Sequence, residues 1–253
     1  MKTILYTSIL MFITYFYSEA QNARSSDRNT IGWFNYFGTI KFDSKFSLHT
    51  EYQWRRDDIA RNWQQSLLRT GINYQIHPTV QLRLGYAWIE TFAYGDIPIN
   101  ALDRDFTEHR MYQMITLTDK IGLLELSHRF MLEQRWVGRY SSVNKTEEDD
   151  FPFLNRCRYM FRLQFPLKGS EIKDKTPYIA IYDEIMIGFG KNVGENIFDQ
   201  NRIGLLFGYR HHSKLRLEVG YINQTLQLGR EINNQNIFQY NNGLIFNSIF
   251  QFN

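Results

Sequence analysis

The sequence predicts an all-β protein: a transmembrane antiparallel up-and-down β-barrel of about twelve strands, with ten as the fallback count, preceded by a signal peptide. Three observations predict it. Segments of alternating polar and apolar residues follow one another along nearly the whole chain. The connections between them alternate between tight turns and longer polar loops. After residue 20 no apolar run reaches the roughly 20 residues that a membrane helix needs, so any crossing must be made by strands.

Composition agrees. The 253 residues carry 29 Lys+Arg against 26 Asp+Glu, 16% aromatics, 5 prolines and one cysteine. That aromatic content excludes a disordered chain, and a lone cysteine excludes a disulfide scaffold or a Cys-based zinc site. A mean hydropathy of −0.43 resembles that of a soluble protein, but a barrel that turns its polar register into a lumen reads the same way.

Residues 1–20 read as the signal peptide. Met1-Lys2 precedes an apolar run from Ile4 to Tyr17, and Ser18-Glu19-Ala20 gives a small-x-small exit. No cysteine follows that would carry a lipid anchor. Residues 21–253 are then a single domain.

The strands follow in order. The weakly patterned first one is expected near 31–41. From Phe46 the apolar register Phe46, Leu48, Tyr52, Trp54 opposes Ser47, His49, Glu51, Gln53, Arg55. Leu68, Ile72, Tyr74 oppose Gln65, Arg69, Asn73, and Leu82, Leu84, Tyr86, Trp88 oppose Gln81, Arg83, Gly85. A weak strand is expected near 107–118. Leu124, Leu126, Phe130, Leu132 then oppose Glu125, Ser127, Arg129, Glu133, Arg135, and Tyr159, Phe161, Leu163 oppose Arg156, Arg158, Arg162. After another weak strand near 177–188, Ile203, Leu205, Phe207 oppose Arg202, Gly204, Arg210. Leu217, Val219, Tyr221 oppose Arg216, Glu218, and Leu244, Phe246, Phe250, Phe252 close the chain. Tight turns are expected at Asp43-Ser44-Lys45, His77-Pro78-Thr79, Asp119-Lys120 and His212-Ser213. Long loops are expected at 56–62, 95–106, 138–150, 190–199 and 230–236, and the link 167–176 is long where a turn is due. Eleven strands can be named, yet bacterial single-chain barrels usually have an even number; a polar stretch 21–30 threading the lumen is one way out.

The arginines decide which face is inside. One arginine facing lipid at the midplane costs about 2–4 kcal/mol, and a one-residue slip of 154–165 would expose Arg156, Arg158 and Arg162 together. They face a lumen. Aromatics gather toward strand ends as interface belts do, and Phe250 and Phe252 resemble the terminus that outer-membrane barrels present to the barrel-assembly machinery.

Several of these pieces resemble the domain-of-unknown-function family 2490. They are Glu51-Tyr52-Gln53-Trp54-Arg55, Leu67-Leu68-Arg69, Gly85-Tyr86, Glu108-His109-Arg110, His128-Arg129, Leu132-Glu133-Gln134-Arg135, Arg156, Arg158, Tyr159, Gln200-Asn201-Arg202 and Gly220-Tyr221. The resemblance implies an exported barrel-like protein of Bacteroidota and carries no assigned activity.

The candidate site is the lumen itself, with an ion-pair network of Glu51, Arg55, Arg69, Arg83, Glu108, Arg110, Glu125, Arg129, Glu133, Arg135, Arg156, Arg158, Arg162, Glu184, Arg202, Arg216 and Glu218. It reads as a structural ladder, or as the lining of a narrow anion-leaning channel. A roughly eleven- or twelve-strand cylinder is about 22 Å across, so side chains fill most of it. Alternatives are an enzyme acting at the rim or lipid face, with outward His128 opposite Gln113 as its only pointer, and a soluble periplasmic barrel that binds lipid inside. Cys157 reads as a small buried hydrophobe, His211-His212 as a solvated turn, and residues 147–150 as a solvated acidic loop. No catalytic residue, cofactor, metal or nucleic-acid partner is expected; outer-membrane lipids and lipopolysaccharide are.

Overall fold

The structure, a computed structural model, describes residues 24–252 except Glu195; the expected signal peptide lies outside the described residues. It is a closed β-barrel of eleven strands. They are β1 (Arg24–Lys41), β2 (Phe46–Asp57), β3 (Asn62–His77), β4 (Val80–Thr91), β5 (Phe106–Ile121), β6 (Leu124–Val137), β7 (Phe153–Pro166), β8 (Thr176–Phe189), β9 (Phe198–His212), β10 (Leu215–Ile232) and β11 (Gln235–Phe252). Among the described residues no helix is long and apolar enough to cross a membrane, which says nothing about crossing by strands.

The expected count of twelve, or ten, is corrected to eleven. Ten neighbouring pairs are antiparallel, and β1 meets β11 in parallel from Arg24↔Asn236 to Ile40↔Phe252. Both strands start at the long-loop rim, and this one seam accommodates the odd number. Nothing local marks it, because a strand carries the same alternation whichever way its neighbour runs. The stretch 24–30, expected to precede the first strand, belongs to β1.

Turns alternate with loops as expected, with two shifts. β5 runs through Asp119 and Lys120 to a turn at Gly122-Leu123, where Gly122 has φ 60°. The expected loop at 230–236 is a tight hairpin in which Asn233 and Asn234 take φ 52° and 58°. Adjacent left-handed residues make a primed turn, which asparagine tolerates. The long exception on the turn rim is real. Residues 167–175 fold back so that Ile172 is 4% exposed, among Tyr178, Ala180, Leu206, Ile222, Ile245, Ile31 and Trp33.

Strands of 12–18 residues suit a tilted bilayer crossing better than the usual five or six of soluble sheets. Their outward register is apolar, with Leu68, Ile72, Leu84, Ile115, Phe130, Leu205, Val219 and Leu244 exposed. Aromatic contacts form an outward belt near each rim: Trp54–Trp63, Trp63–Phe92 and Trp136–Phe153 on the loop side, Phe46–Tyr74 and Phe250–Phe252 on the turn side. Inside, tyrosines lie flat on glycines. A Cβ on Gly85 would come within 2.5 Å of the Tyr112 ring, and one on Gly208 within 2.2 Å of the Tyr178 ring. The missing side chains make room for those rings against the wall.

Candidate functional site

The inward register of β2 to β9 holds one continuous ion-pair network. Seven arginines (Arg69, Arg110, Arg129, Arg135, Arg156, Arg158, Arg202) share five carboxylates (Glu51, Glu108, Glu133, Glu184, Asp199). Glu133 is its hub. Arg156 Nη2 lies 2.6 Å and Arg158 Nη1 2.8 Å from its carboxylate, with Arg110 at 3.8 Å and Arg69 at 4.0 Å. Glu184 holds Arg129 at 2.7 Å, Arg158 at 2.8 Å and Arg202 at 3.7 Å.

Register explains the pairs. Glu51 faces Arg69, Glu133 faces Arg156 and Glu184 faces Arg202 directly across neighbouring strands. Opposite charges at facing positions attract. Other pairs are diagonal on neighbouring strands, such as Arg158–Glu133, while Arg69–Glu133, Arg129–Glu184, Arg135–Asp199 and Arg156–Asp199 join strands that are not neighbours. Glu133 is 0% and Arg156 1% exposed, so the hub is out of contact with solvent. Charges this deep are tolerated because each carboxylate is paired: Glu108, Glu133, Glu184 and Asp199 each by two or more guanidiniums, and Glu51 by Arg69 together with His49 and Gln53.

The other predicted residues sit apart from the hub. Arg162 pairs with Glu218, which also accepts from the Tyr178 hydroxyl at 2.7 Å and from Asn247 Nδ2 at 2.9 Å. Arg83 donates to Asn73 Oδ1 at 2.5 Å. Glu125 and Arg216 enter no ion pair among the described residues. Arg55 has no carboxylate within 4.0 Å among them; it donates to Gln53 and to Gln65, the latter at 2.6 Å. Phe250 and Phe252 stack at 5.8 Å, with Phe252 41% exposed.

Sequence reasoning missed three participants. Asp199 falls within the loop expected at 190–199, yet it lies at the start of β9 facing inward, with Arg156 Nη1 at 2.5 Å. His49 is buried and 3.0 Å from Glu51, and the polar register that contains it was the available signal. Trp33 points inward with Nε1 donating to Gln64 Oε1 at 2.7 Å. Gln64 sits where the β2–β3 register shifts, a bulge that aims it into the lumen.

Above the network, toward the loop rim, opens a cavity of about 680 Å³. Strand residues Arg55, Arg110, Arg156, Arg202, Gln200 and Gln224 line its deeper part, and loop residues such as Ile99, Leu102, Val143 and Leu228 line its mouth. Tyr94, from the loop after β4, is buried beside it. Its hydroxyl donates to Gln239 Oε1 at 2.8 Å, and burial pushes its pKa up to about 12, so it stays a neutral donor. A second cavity of about 480 Å³ lies at the turn rim around Lys41, Lys45, Asn73 and Gln81.

The outward candidates rearrange. Gln113 faces Leu132 and exchanges hydrogen bonds with Gln134 at 3.1 Å, whereas His128 faces Leu117. The later turn moves every β5–β6 partner, so the expected Gln113–His128 pairing is not formed. His128 Nδ1 lies 2.9 Å from the Tyr159 hydroxyl. Cys157 keeps its apolar register but is exposed, not buried, because that register is the barrel's exterior. Among the described residues no group of three or more His, Cys, Asp or Glu side chains is placed to hold a metal.

A family model described as "Protein of unknown function (DUF2490)" matches residues 30–236, and the chain belongs to that family. Comparisons with curated proteins and with solved structures found no match.

Proposed function

We propose that this member of the DUF2490 family is an integral outer-membrane barrel whose lumen is sealed at mid-height, a non-enzymatic structural element with a vestibule at its long-loop rim. One observation carries the reading: the apolar register faces outward and every network arginine faces inward. Inverting that arrangement would cost about 2–4 kcal/mol for each arginine turned to lipid. The two aromatic belts support the same placement, with lipids and lipopolysaccharide as neighbours. In this reading residues 1–20 are removed on export, and Phe250 and Phe252 engage the assembly machinery. A lipid carried inside an apolar interior has no place here, since charge fills the centre.

The buried hub argues for a seal, although the surplus of arginine keeps an anion-leaning channel as the second reading. Membrane fractionation with a carbonate wash tests the placement: the protein is expected to stay in the pellet, and release would overturn it. Planar-bilayer recording tests the seal. No discrete steps are expected, while stable anion-selective steps would establish the channel instead.

A further inference from the structure

We propose that the loop-rim vestibule is a binding site for a small amphipathic organic anion, its oxyanion held between Arg55 and Arg202 above Trp33 and its apolar body against the loop collar. Arg55 is 5% exposed and has no carboxylate within 4.0 Å among the described residues. Its guanidinium carbon lies 3.9 Å from a Trp33 ring centroid, and that of Arg202 lies 4.9 Å from one. Two like charges are thus brought together on one indole. Among the described residues Arg202 has only Glu184 as counter-charge, at 3.7 Å, and Arg129 and Arg158 already hold that carboxylate more closely.

Charge in the cavity is one-sided. Among the described residues, seven arginines line it against two carboxylates, Glu108 and Asp199. These two with Glu133 and Glu184 below pair Arg110, Arg135, Arg156 and Arg202, which leaves Arg55, Arg139 and Arg230 with no carboxylate partner among those residues. Cation–π contact with Trp33 offsets part of the cost of burying these guanidiniums but supplies no negative charge. An oxyanion does. Gln200, Gln224 and Gln64 add neutral amides at the same depth, and Gln224 Nε2 already donates to Gln200 Oε1 at 2.7 Å. These amides fix orientation without cancelling the field. Above the floor the lining turns apolar at Ile99, Leu102, Phe106, Leu226 and Leu228. A volume of about 680 Å³ falls in the range of small-molecule pockets. Inorganic phosphate alone would leave that collar unused.

The site is argued from the lumen and holds wherever the barrel resides. The test uses the purified full chain in lipid nanodiscs, titrated by calorimetry with 4-phenylbutyrate, 4-phenylbutanol and inorganic phosphate. Phenylbutyrate is expected to bind at least tenfold more tightly than either other probe, and to raise the Tm. Arg55→Gln is expected to weaken that binding at least tenfold without lowering the Tm of the ligand-free barrel, because it relieves repulsion. Arg216→Gln, outside the cavity lining, should bind as wild type. The proposal is overturned if phenylbutyrate gives neither heat nor a Tm rise, if phenylbutanol or phosphate binds as well, or if Arg55→Gln binds unchanged. A ligand-free Arg55→Gln barrel that melts earlier would overturn it too, by showing Arg55 to be a prop for Trp33.

Discussion

Two walls of the same lumen are held together by different chemistry. Along β5 to β8 the inward side chains include Glu108, Arg110, Arg129, Glu133, Arg135, Arg156, Arg158 and Glu184, each of these carboxylates gripped by two or more guanidiniums. Along β10, β11 and β1 the polar ones are mostly amides, set among buried apolar residues such as Ile31, Trp33, Ile222 and Ile245. Asn35 donates to Asn247 Oδ1 at 2.8 Å, Asn29 to Asn241 Oδ1 at 3.0 Å, and Asn241 to Gln224 Oε1 at 3.1 Å. The second wall contains the parallel seam, where Asn29 faces Asn241 and Asn35 faces Asn247 in direct register. Facing residues of one kind work when each is both donor and acceptor; facing arginines repel unless a carboxylate joins them, as Glu108 joins Arg110 and Arg135 across β5 and β6. The seam can be neutral and self-matched, whereas the antiparallel wall needs complementary charge.

The sharpest way to break that contrast is Glu133→Gln. It keeps the shape and strips the hub charge from Arg156, Arg158, Arg110 and Arg69. A loss of about 3–5 kcal/mol is expected, read as a lowered denaturant midpoint or as loss of the compact, heat-modifiable gel band. Asn35→Leu on the amide wall leaves Asn247 Oδ1 without its donor and should cost about 1–3 kcal/mol. Equal costs for the two substitutions would erase the distinction between the walls.

Ile172→Ala tests the plug that the 167–175 link pushes into the turn-side half. About 2 kcal/mol is expected, the low end for a buried aliphatic, because a loop can settle into the space. Arg61→Ala removes an exposed i,i+3 pair with Asp58 and should shift stability by no more than about 0.5 kcal/mol. The smallest effect is a pH response in the β6–β7 loop. Asp149 accepts from the Ser141 hydroxyl and from its amide at 2.8 Å, and these bonds hold its pKa down at about 2. A carboxyl lowered in the folded state contributes above its ordinary range and loses that contribution as pH falls through about 2. Protection of the Ser141 amide from exchange is expected to be constant at neutral pH and to fade only near that value.

Much of this was legible in the sequence, for identifiable reasons. Period-two alternation is set by each strand alone, so Glu51 to Arg55 or Arg156 to Arg162 could be assigned a face without knowing their neighbours. What depends on partners was not legible. The Glu133 hub draws Arg69 from β3, three strands away, and no spacing along the chain encodes that. The seam's direction leaves no periodic trace. Trp33 and Ile31 point inward among apolar residues, which blurs the polar-in rule on the strand that was hardest to read. Asp199 was hidden by lying at a strand's first turn-out from a polar loop. The Asn233-Asn234 hairpin is different: adjacent asparagines are a turn signature, and the surrounding polarity was over-read as loop.

The co-directional seam also restricts how the polypeptide could be rewired. In an even-numbered barrel the first and last strands finish beside each other, and a few linking residues can join them to open the ring elsewhere. Here Arg24 and Phe252 lie at opposite rims, separated by seventeen paired positions, or roughly 50 Å of extended strand. A joining segment would have to run outside through the apolar belt or inside past the guanidinium lattice. Circular permutants with short linkers are therefore closed to this architecture.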